Sequence, residues 1–520
     1  MTVGPRCTAH GPGRPLANGL SPTARVAYLG RMDSAAFLQL PFTFDDLGKV
    51  VAYVVPLFTL FGVLSALDAL LHARTPQGSM GWAVALVAFP LLSVPLYWFF
   101  GRTQFSEYVK DMRVIDARVE QVLADERSSV LARHMQHDAD ERGELAAFRG
   151  LASFPFTRGN GAKLLVDGEE TFPALLGAIE KAERYILFQF YILRHDALGQ
   201  RFKDALVERA RAGVKVCVLY DDIGSFGLSR RYRRELREAG IEVSGFPGRR
   251  SVFRRFRVNF RNHRKIIVVD GTIAFCGGLN VGDEYLHLDP KLTPWRDTHV
   301  QVEGPMVQGL QLSFVKDWYF STGHVPRVLV WEATPCEDDR MGLVLASGPA
   351  GDLETCSLLF AHAIAAAEKR VWIATPYFVP DAAVFSALQI AALRGVDVRV
   401  IMPEMSDSVL FKFVPFAYLP DLGRLGVKVR LYQQGFMHQK VLLVDDDYAA
   451  ITSANFDNRS FRLNFEITAL FADAAICRDV EAMLEADFAR STPLEEGDTA
   501  ARGRLFHFAV RLTRIFAPVL

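Results

Sequence analysis

Cysteine is sparse in this chain. Six residues, at 7, 217, 276, 336, 356 and 477, are scattered over 520 positions with no Cys-x-x-Cys pair. That spacing excludes a disulfide framework and a thiolate metal site, so the thiols read as reduced and buried. No His-Glu-x-x-His segment is present, which excludes the common zinc-hydrolase helix. No Gly-x-x-x-x-Gly-Lys-Ser/Thr loop is present, which argues against nucleotide-driven chemistry. An excess of charge is missing too. Lys+Arg and Asp+Glu are 59 each, so overall charge points to no particular partner.

Lysine is also scarce, and this makes one recurrent pattern informative. His-x-Lys-x-x-x-x-Asp occurs twice, as His263, Lys265 and Asp270 and as His438, Lys440 and Asp445. Gly278-Leu279-Asn280 trails the first copy and Ser453-Ala454-Asn455 the second, with the Asn at the same offset from its His in both. Matched motifs with matched tails indicate an internal duplication, with half a site in each copy. Between Lys and Asp lie Ile266–Val269 and Val441–Val444, which read as buried strands. His and Lys are two apart, so on a strand they point to one face. Two such strands brought together surround one point with two imidazoles and two ammonium groups. That suits a phosphodiester: the lysines stabilise phosphoryl oxygens, one His attacks phosphorus and the other protonates the leaving oxygen. Gly278, Asn280, Ser453 and Asn455 are candidates to support the site and bind phosphate. The chemistry needs no metal.

The paired motifs resemble the signature of the phospholipase D superfamily. The text around them, His263 to Gly271 and Thr452 to Phe461 followed by Asn464-Phe465-Glu466, is similar to bacterial cardiolipin synthases over roughly residues 45–520. The resemblance implies an α/β fold of two sandwich repeats sharing one active site, preceded by a transmembrane helical hairpin. It implies transfer of a phosphatidyl group between two phosphatidylglycerols, giving cardiolipin and glycerol through a phosphatidyl-histidine. By the same resemblance His263 is the nucleophile and His438 the acid, although the motifs do not prove that order. Expected partners are phosphatidylglycerol, other anionic phospholipids and the membrane, with no cofactor, nucleotide or nucleic acid. The Asp-Gly-x-x-Ala-Arg signature of phosphatidyltransferases that use a nucleotide-activated lipid is missing, since Asp167-Gly168 and Asp270-Gly271 lack its continuation. The same residues could serve a phospholipase D, a transphosphatidylase with another alcohol, or a membrane-bound nuclease. Intact motifs argue against a silent membrane scaffold.

A working imidazole needs an acceptor on its second nitrogen. Asp270 and Asp445 belong to the catalytic signature. Each lies at the far end of its strand, about 17 Å away, so a structural role is expected. Asp297 and Glu466 lie downstream of their own copy's His, each before a strand-like stretch, and are the candidate orienting acids. Phospholipase D relatives place an acid after each motif in this role. The competing reading for Asp297 is an ordinary ion pair with Arg296.

Two apolar runs, Val50–Leu71 (broken by Asp68) and Trp82–Phe100, are each about long enough to cross a bilayer as a helix. Basic residues flank the pair rather than the 72–81 connection, which predicts a hairpin in the plasma membrane with both ends cytoplasmic. The expected organisation is a disordered tail at 1–44, membrane helices at 45–101 and a helical linker at 102–150. Two repeats follow at 151–332 and 333–497, then a basic amphipathic helix at 498–520.

Within the repeats, helices are expected at Phe172–Glu183, Arg201–Ala212, Leu358–Lys369 and Val384–Arg394. Strands are expected at Tyr185–Leu193, Val214–Tyr220, Val371–Phe378 and Val396–Met402. Arg249 to Arg264 interleaves arginine with phenylalanine and reads as an anionic-lipid surface, with single-stranded nucleic acid as the rival. Val409–Leu419 reads as an acyl-chain path or a core helix.

Overall fold

The computed structural model describes residues 44–72, 76–101, 108, 143–246 and 260–520, apart from 328, 333, 352, 496 and 499–501. The expected disordered tail, most of the 102–150 linker and the arginine-rich residues 247–259 lie outside the described residues.

The first half supplies strands β1 (Thr157–Val166), β2 (Tyr185–Phe190), β3 (Lys215–Asp221), β4 (Glu242–Phe246), β5 (Ile266–Val269), β6 (Ile273–Gly277) and β7 (Thr298–Glu303). The second supplies β8 (Arg340–Ser347), β9 (Arg370–Ala374), β10 (Asp397–Pro403), β11 (Lys428–Tyr432), β12 (Val441–Val444), β13 (Tyr448–Thr452) and β14 (Asn464–Phe471). The spatial order is β4-β3-β2-β5-β6-β7-β1 in one half and β11-β10-β9-β12-β13-β14-β8 in the other. Antiparallel pairing of β1 with β8 fuses them into one continuous sheet. In both halves the outer strands run parallel and the strand after the His-Lys pair runs antiparallel. The duplication in sequence is thus a duplication of topology.

Alternation sorts the side chains. In β2 and β5, Leu187, Ile266 and Val268 join a core shared by both halves, under helices Met306–Thr322 and Ala474–Ala489. Ile186, Phe188, Ile267 and Val269 face the other way, under Asp167–Glu180 and Ala197–Arg211. Covered on both faces, these strands carry unbroken apolar runs. Each buried branched side chain contributes about 1.5–3 kcal/mol over an exposed one.

Helix Ala197–Arg211 starts ahead of its expected beginning at Arg201, because Asp196 accepts the N–H of Gly199 and caps it. Asp381 does the same for Ala382–Leu393 through Val384. Gly213 and Gly395, at φ 97° and 85°, follow the two helix ends in the left-handed conformation that glycine adopts most readily.

The N-terminal apolar runs differ from one another. Helix Phe44–His72 contains a stretch, Ala52–His72, long and apolar enough to cross a bilayer. The second run is not one helix. It divides into Pro76–Ala88, Pro90–Leu96 and a π-turn at Tyr97–Gly101. Pro90 has no N–H to continue the ladder, and Phe89 leaves the helical region at φ −135°. The pieces still fold back on the first helix. Tyr97 donates to Asp68 at 2.7 Å, Trp98 to Ser65 at 2.9 Å and Ser79 to the Ala69 carbonyl at 3.0 Å. Leu57, Leu60, Leu64, Leu67, Leu91 and Leu92 remain exposed, a surface that marks a membrane-associated protein.

Helix Arg504–Arg514 is followed by a 3-10 turn at Ala517–Val519. Its Phe506 packs against Phe413 and Phe416, and Val510 is buried. Leu505, Phe508, Leu512 and Ile515 stay exposed, so one face meets the core and another is bare. Val409–Leu419 forms no long helix. It is a run of turns with a 3-10 segment at Val414–Ala417.

Candidate active site

The His-Lys pairs lie just before β5 and β12 rather than within them. Each leads out of a two-residue strand that pairs with the opposite half of the molecule. Arg261–Asn262 runs parallel to Asn464–Phe465, and Phe436–Met437 runs parallel to Trp295–Arg296. One residue further along each ladder, His263 meets Glu466 and His438 meets Asp297. Backbone bonds lock this register: His263 N–H donates to the Phe465 carbonyl at 2.9 Å, and His438 N–H to that of Arg296 at 2.7 Å.

The carboxylates are therefore exchanged between halves. Glu466 receives His263 Nδ1 at 2.9 and 3.0 Å, and Asp297 receives His438 Nδ1 at 2.8 Å. Both acids are fully buried. Burial pushes each towards the neutral form. The hydrogen-bond donors and charges around them outweigh it, chiefly His263 and Lys265 for Glu466, and Lys440 and His438 for Asp297, and both stay below their ordinary values. An ionised carboxylate can only accept, so Nδ1 of each ring carries a proton and Nε2 is left for chemistry. Burial takes His263 down to about 4 and His438 to about 3, against the pull of their carboxylates. Both rings are neutral at neutral pH in the free protein.

The lysines complete the set. Lys265 Nζ donates to the His263 carbonyl at 2.6 Å and stands over the Tyr191 ring. Lys440 Nζ lies 2.8 and 3.1 Å from the two ring nitrogens of His438. Burial lowers Lys265 well below its usual value and Lys440 to about 8. Tyr191 packs edge-on against His263 and Tyr377 edge-on against His438, while Trp295 meets His438 at a tilt. Both histidines open onto one cavity of about 520 Å³, also lined by Asn280, Asn455, Asn464, Arg261, Arg459, Asp407 and Phe411.

Other signature residues serve the fold. Asp270 accepts the N–H groups of Glu183, Arg184 and Tyr185, each at 2.8 Å. Asp445 accepts those of Glu368, Lys369 and Arg370 at 2.7–2.8 Å. Each ties the entry of β2 or β9 to the far end of the motif strand, away from the imidazoles. Among the described residues, neither carboxylate is bonded to an imidazole or a motif lysine.

Gly278 and Ser453, expected to support the site and bind phosphate, stand against the two carboxylates. A Cβ on Gly278 would stand 2.0 Å from Asp297 Oδ1. Ser453 Oγ donates to Glu466 at 2.5 Å and accepts from Ile467 N–H at 2.9 Å. Asn280 lines the cavity but is engaged, accepting from Ile192 N–H and donating to Tyr285. Asn455 lines it with a buried Oδ1 that has no hydrogen-bond partner among the described residues.

Residues at the variable position of each motif were not legible as functional. Arg264 turns to the opposite face from His263 and Lys265. It donates to Asp317 at 2.8 Å and to the Glu466 carbonyl at 3.0 Å. Gln439 donates to Asp487 at 2.7 Å. Asp487 also takes both ends of the Arg296 fork, at 2.9 and 2.7 Å. Arg296 thus pairs with Asp487 and Asp167, and Asp297 is left to His438. These buried ion pairs hold the two crossover ladders in place. Tyr191 and Tyr377 carried no sequence signal, because each fell inside an expected strand, whereas the strands end at Phe190 and Ala374.

A duplicated α/β sheet with two carboxylate-anchored His-Lys pairs at its centre defines a phospholipase D-like phosphoryl-transfer protein. A family model described as "Cardiolipin synthase, PLD-like domain" matches residues 175–293 and 360–488, and one described as "Phospholipase_D-nuclease N-terminal" matches 57–102. Cardiolipin synthase A of Pseudomonas putida (strain GB-1) is 44% identical over 470 residues, covering 90% of this chain and 98% of that one. Cardiolipin synthase A of Pseudomonas fluorescens (strain SBW25) is 43% identical over 484 residues, covering 91% and 98%. A phosphatidylserine synthase from Haemophilus influenzae Rd KW20 shares the fold. It has a TM-score of 0.56 at 17% identity and covers 73% of this chain and 100% of its own. The chain belongs to the cardiolipin synthase family of phospholipase D-like enzymes.

Proposed function

We propose that the protein joins two phosphatidylglycerol molecules into cardiolipin and releases glycerol. The observation that carries this is the pair of imidazoles, each anchored at Nδ1, lining one cavity and each with a lysine beside it. His263 Nε2 attacks phosphorus of the first lipid. The bond from phosphorus to the head-group oxygen breaks, and that oxygen takes the Nε2 proton of His438, so glycerol leaves. A primary hydroxyl of the second lipid then gives its proton to His438 and attacks phosphorus. The P–N bond breaks and its electrons return to His263. One phosphodiester replaces another, so the balance needs no nucleotide.

The first step needs a protonated His438, whereas burial and Lys440 keep the ring neutral in the free protein. An incoming phosphodiester anion offsets the lysine charge and raises the imidazole. Lys265 and Lys440 stabilise charge on the phosphoryl oxygens. The aromatic walls formed by Tyr191, Trp295, Tyr377 and Phe411 limit competition from water.

The wider organisation follows the same reading. The N-terminal helices form a hairpin in the bacterial plasma membrane, with both ends and the catalytic repeats, 151–332 and 333–497, on the cytoplasmic side. The substrates are phosphatidylglycerol and related anionic phospholipids in that bilayer.

The deciding experiment incubates purified full-length protein with phosphatidylglycerol in micelles and measures lipids and glycerol by mass spectrometry. Cardiolipin and glycerol in equal amounts are expected. Phosphatidic acid as the main lipid product would make the protein a hydrolase instead.

A further inference from the structure

Three arginines line the cavity, and one of them, Arg194, is paired with Glu284. Arg261 and Arg459 both line it, one from each half of the chain. Arg261 lies on the crossover ladder two residues before His263, and Arg459 on the short Asn458–Arg462 helix. Both are partly buried. Burial pulls Arg261 below its ordinary value and the charge of Arg459 adds to it, although Asp221 pulls the other way. Both guanidinium groups also act on the Tyr191 phenol, whose ring packs on His263.

Asp221 does not neutralise Arg261 by contact. Its carboxylate is taken up by the N–H groups of Ile223, Gly224 and Asn262, each at 2.9 Å. Among the described residues Arg261 donates from Nη1 to the Phe260 carbonyl, and no carboxylate lies within ion-pair distance of it. Its ladder partner Asn464 also lines the cavity, with a buried Oδ1 that has no hydrogen-bond partner among the described residues.

Arg261 and Arg459 face one partly buried cavity, where a bound anion would meet both charges at reduced solvent screening. The reacting phosphate already has two lysines. Joining two phosphatidylglycerols brings a second phosphate into the same cavity. Resting on the function proposed above, we propose that Arg261 and Arg459 form a second phosphate subsite. It holds the unreacted phosphodiester of the acceptor phosphatidylglycerol, with Asn464 accepting a head-group hydroxyl. Guanidinium forks suit this, since they grip phosphate in a fixed orientation. The subsite would favour a lipid acceptor over water or free glycerol.

Two rates on the full-length protein in phosphatidylglycerol micelles test this. One is cardiolipin formation. The other is exchange of labelled glycerol into phosphatidylglycerol, which uses the histidines but no second phosphate. In Arg261→Gln and Arg459→Gln the ratio of cardiolipin formation to exchange should fall about tenfold or more. Arg261→Lys, which keeps the charge, should restore much of the ratio. If the wild type makes cardiolipin, equal loss of both rates or an unchanged ratio in the variants overturns the subsite alone. Wild-type protein that exchanges glycerol without making cardiolipin overturns the functional reading, and the subsite with it.

Discussion

Glu466 lies 203 positions after His263, in the other half of the chain, yet its carboxylate holds Nδ1 of that ring at 2.9 Å. Asp297 and His438 make the reciprocal contact at 2.8 Å. Neither half contains a complete histidine–acid pair, so the site exists only where the two halves meet.

That exchange predicts which ring each acid serves. Asp297→Asn and Glu466→Gln should fold and lose turnover by roughly a hundredfold or more, because an amide cannot fix the tautomer or stabilise the imidazolium. Histidine-selective NMR should show Asp297→Asn moving the Nδ1 resonance of His438 and Glu466→Gln that of His263. The opposite assignment would show that the exchange is wrong.

The two histidines should act as a unit. His263→Ala or His438→Ala alone should nearly abolish turnover, and the double variant should be scarcely worse. Acid-quenched reactions should leave a phosphatidyl adduct on His263. An adduct on His438 would reverse the two roles, and substantial turnover in either folded variant would end the two-histidine mechanism.

Gly278→Ala should be costly although nothing reacts there. The added methyl meets Asp297 Oδ1 at 2.0 Å, so the carboxylate must move away from His438. Turnover should fall tenfold or so through the misplaced base, following the sensitivity of catalysis to small displacements. Ser453→Ala leaves the Ile467 N–H without its partner and should cost about 1–3 kcal/mol of stability. A near-normal rate in Gly278→Ala would mean that the loop yields instead.

Asp270→Ala should affect stability rather than chemistry. The N–H groups of Glu183, Arg184 and Tyr185, the last of them part-buried, lose their shared acceptor, for a loss of about 1–3 kcal/mol. Denaturant melts should show this, while turnover per folded molecule stays within a few-fold. A hundredfold fall in turnover without destabilisation would return Asp270 to the chemistry.

Acid and alkali should act on different groups. His263 and His438 titrate at about 4 and 3 in the folded protein, and at about 6.5 when unfolded. Between those values the unfolded chain binds more protons. Their contribution to stability is therefore complete above about pH 6.5 and is lost as pH falls through about 4 and 3. On the alkaline side Lys440 loses its proton near pH 8, so kcat/KM should fall above that pH. The limb in kcat should lie higher, because bound phosphodiester favours the ammonium. Unfolding curves and rate profiles against pH check both.

The sequence by itself determined a good deal. Two matched motifs, beginning at His263 and His438, disclosed the duplication, because chance does not repeat a scarce lysine with its tail. Apolar runs and helix-ending glycines located the strands and helices, since periodicity and backbone conformation are local properties. The distance from the motif aspartates to their histidines was legible for the same reason: a strand has a fixed rise. Asp297 and Glu466 were legible as acids following each motif.

What tertiary structure decided was which groups meet. Which imidazole each acid faces depends on the register of two short ladders between halves, and no local pattern encodes that. The choice of Asp487 for Arg296, and of Asp317 for Arg264, likewise follows from helices packed beneath the sheet. The roles of Gly278 and Ser453 depend on what stands opposite them. The second apolar run was read as one span because hydropathy counts length, whereas Pro90 breaks the hydrogen-bond ladder inside it. Composition and spacing act along the chain, but the site is assembled across it, by contacts between residues far apart in sequence, His438 with Asp297 and His263 with Glu466.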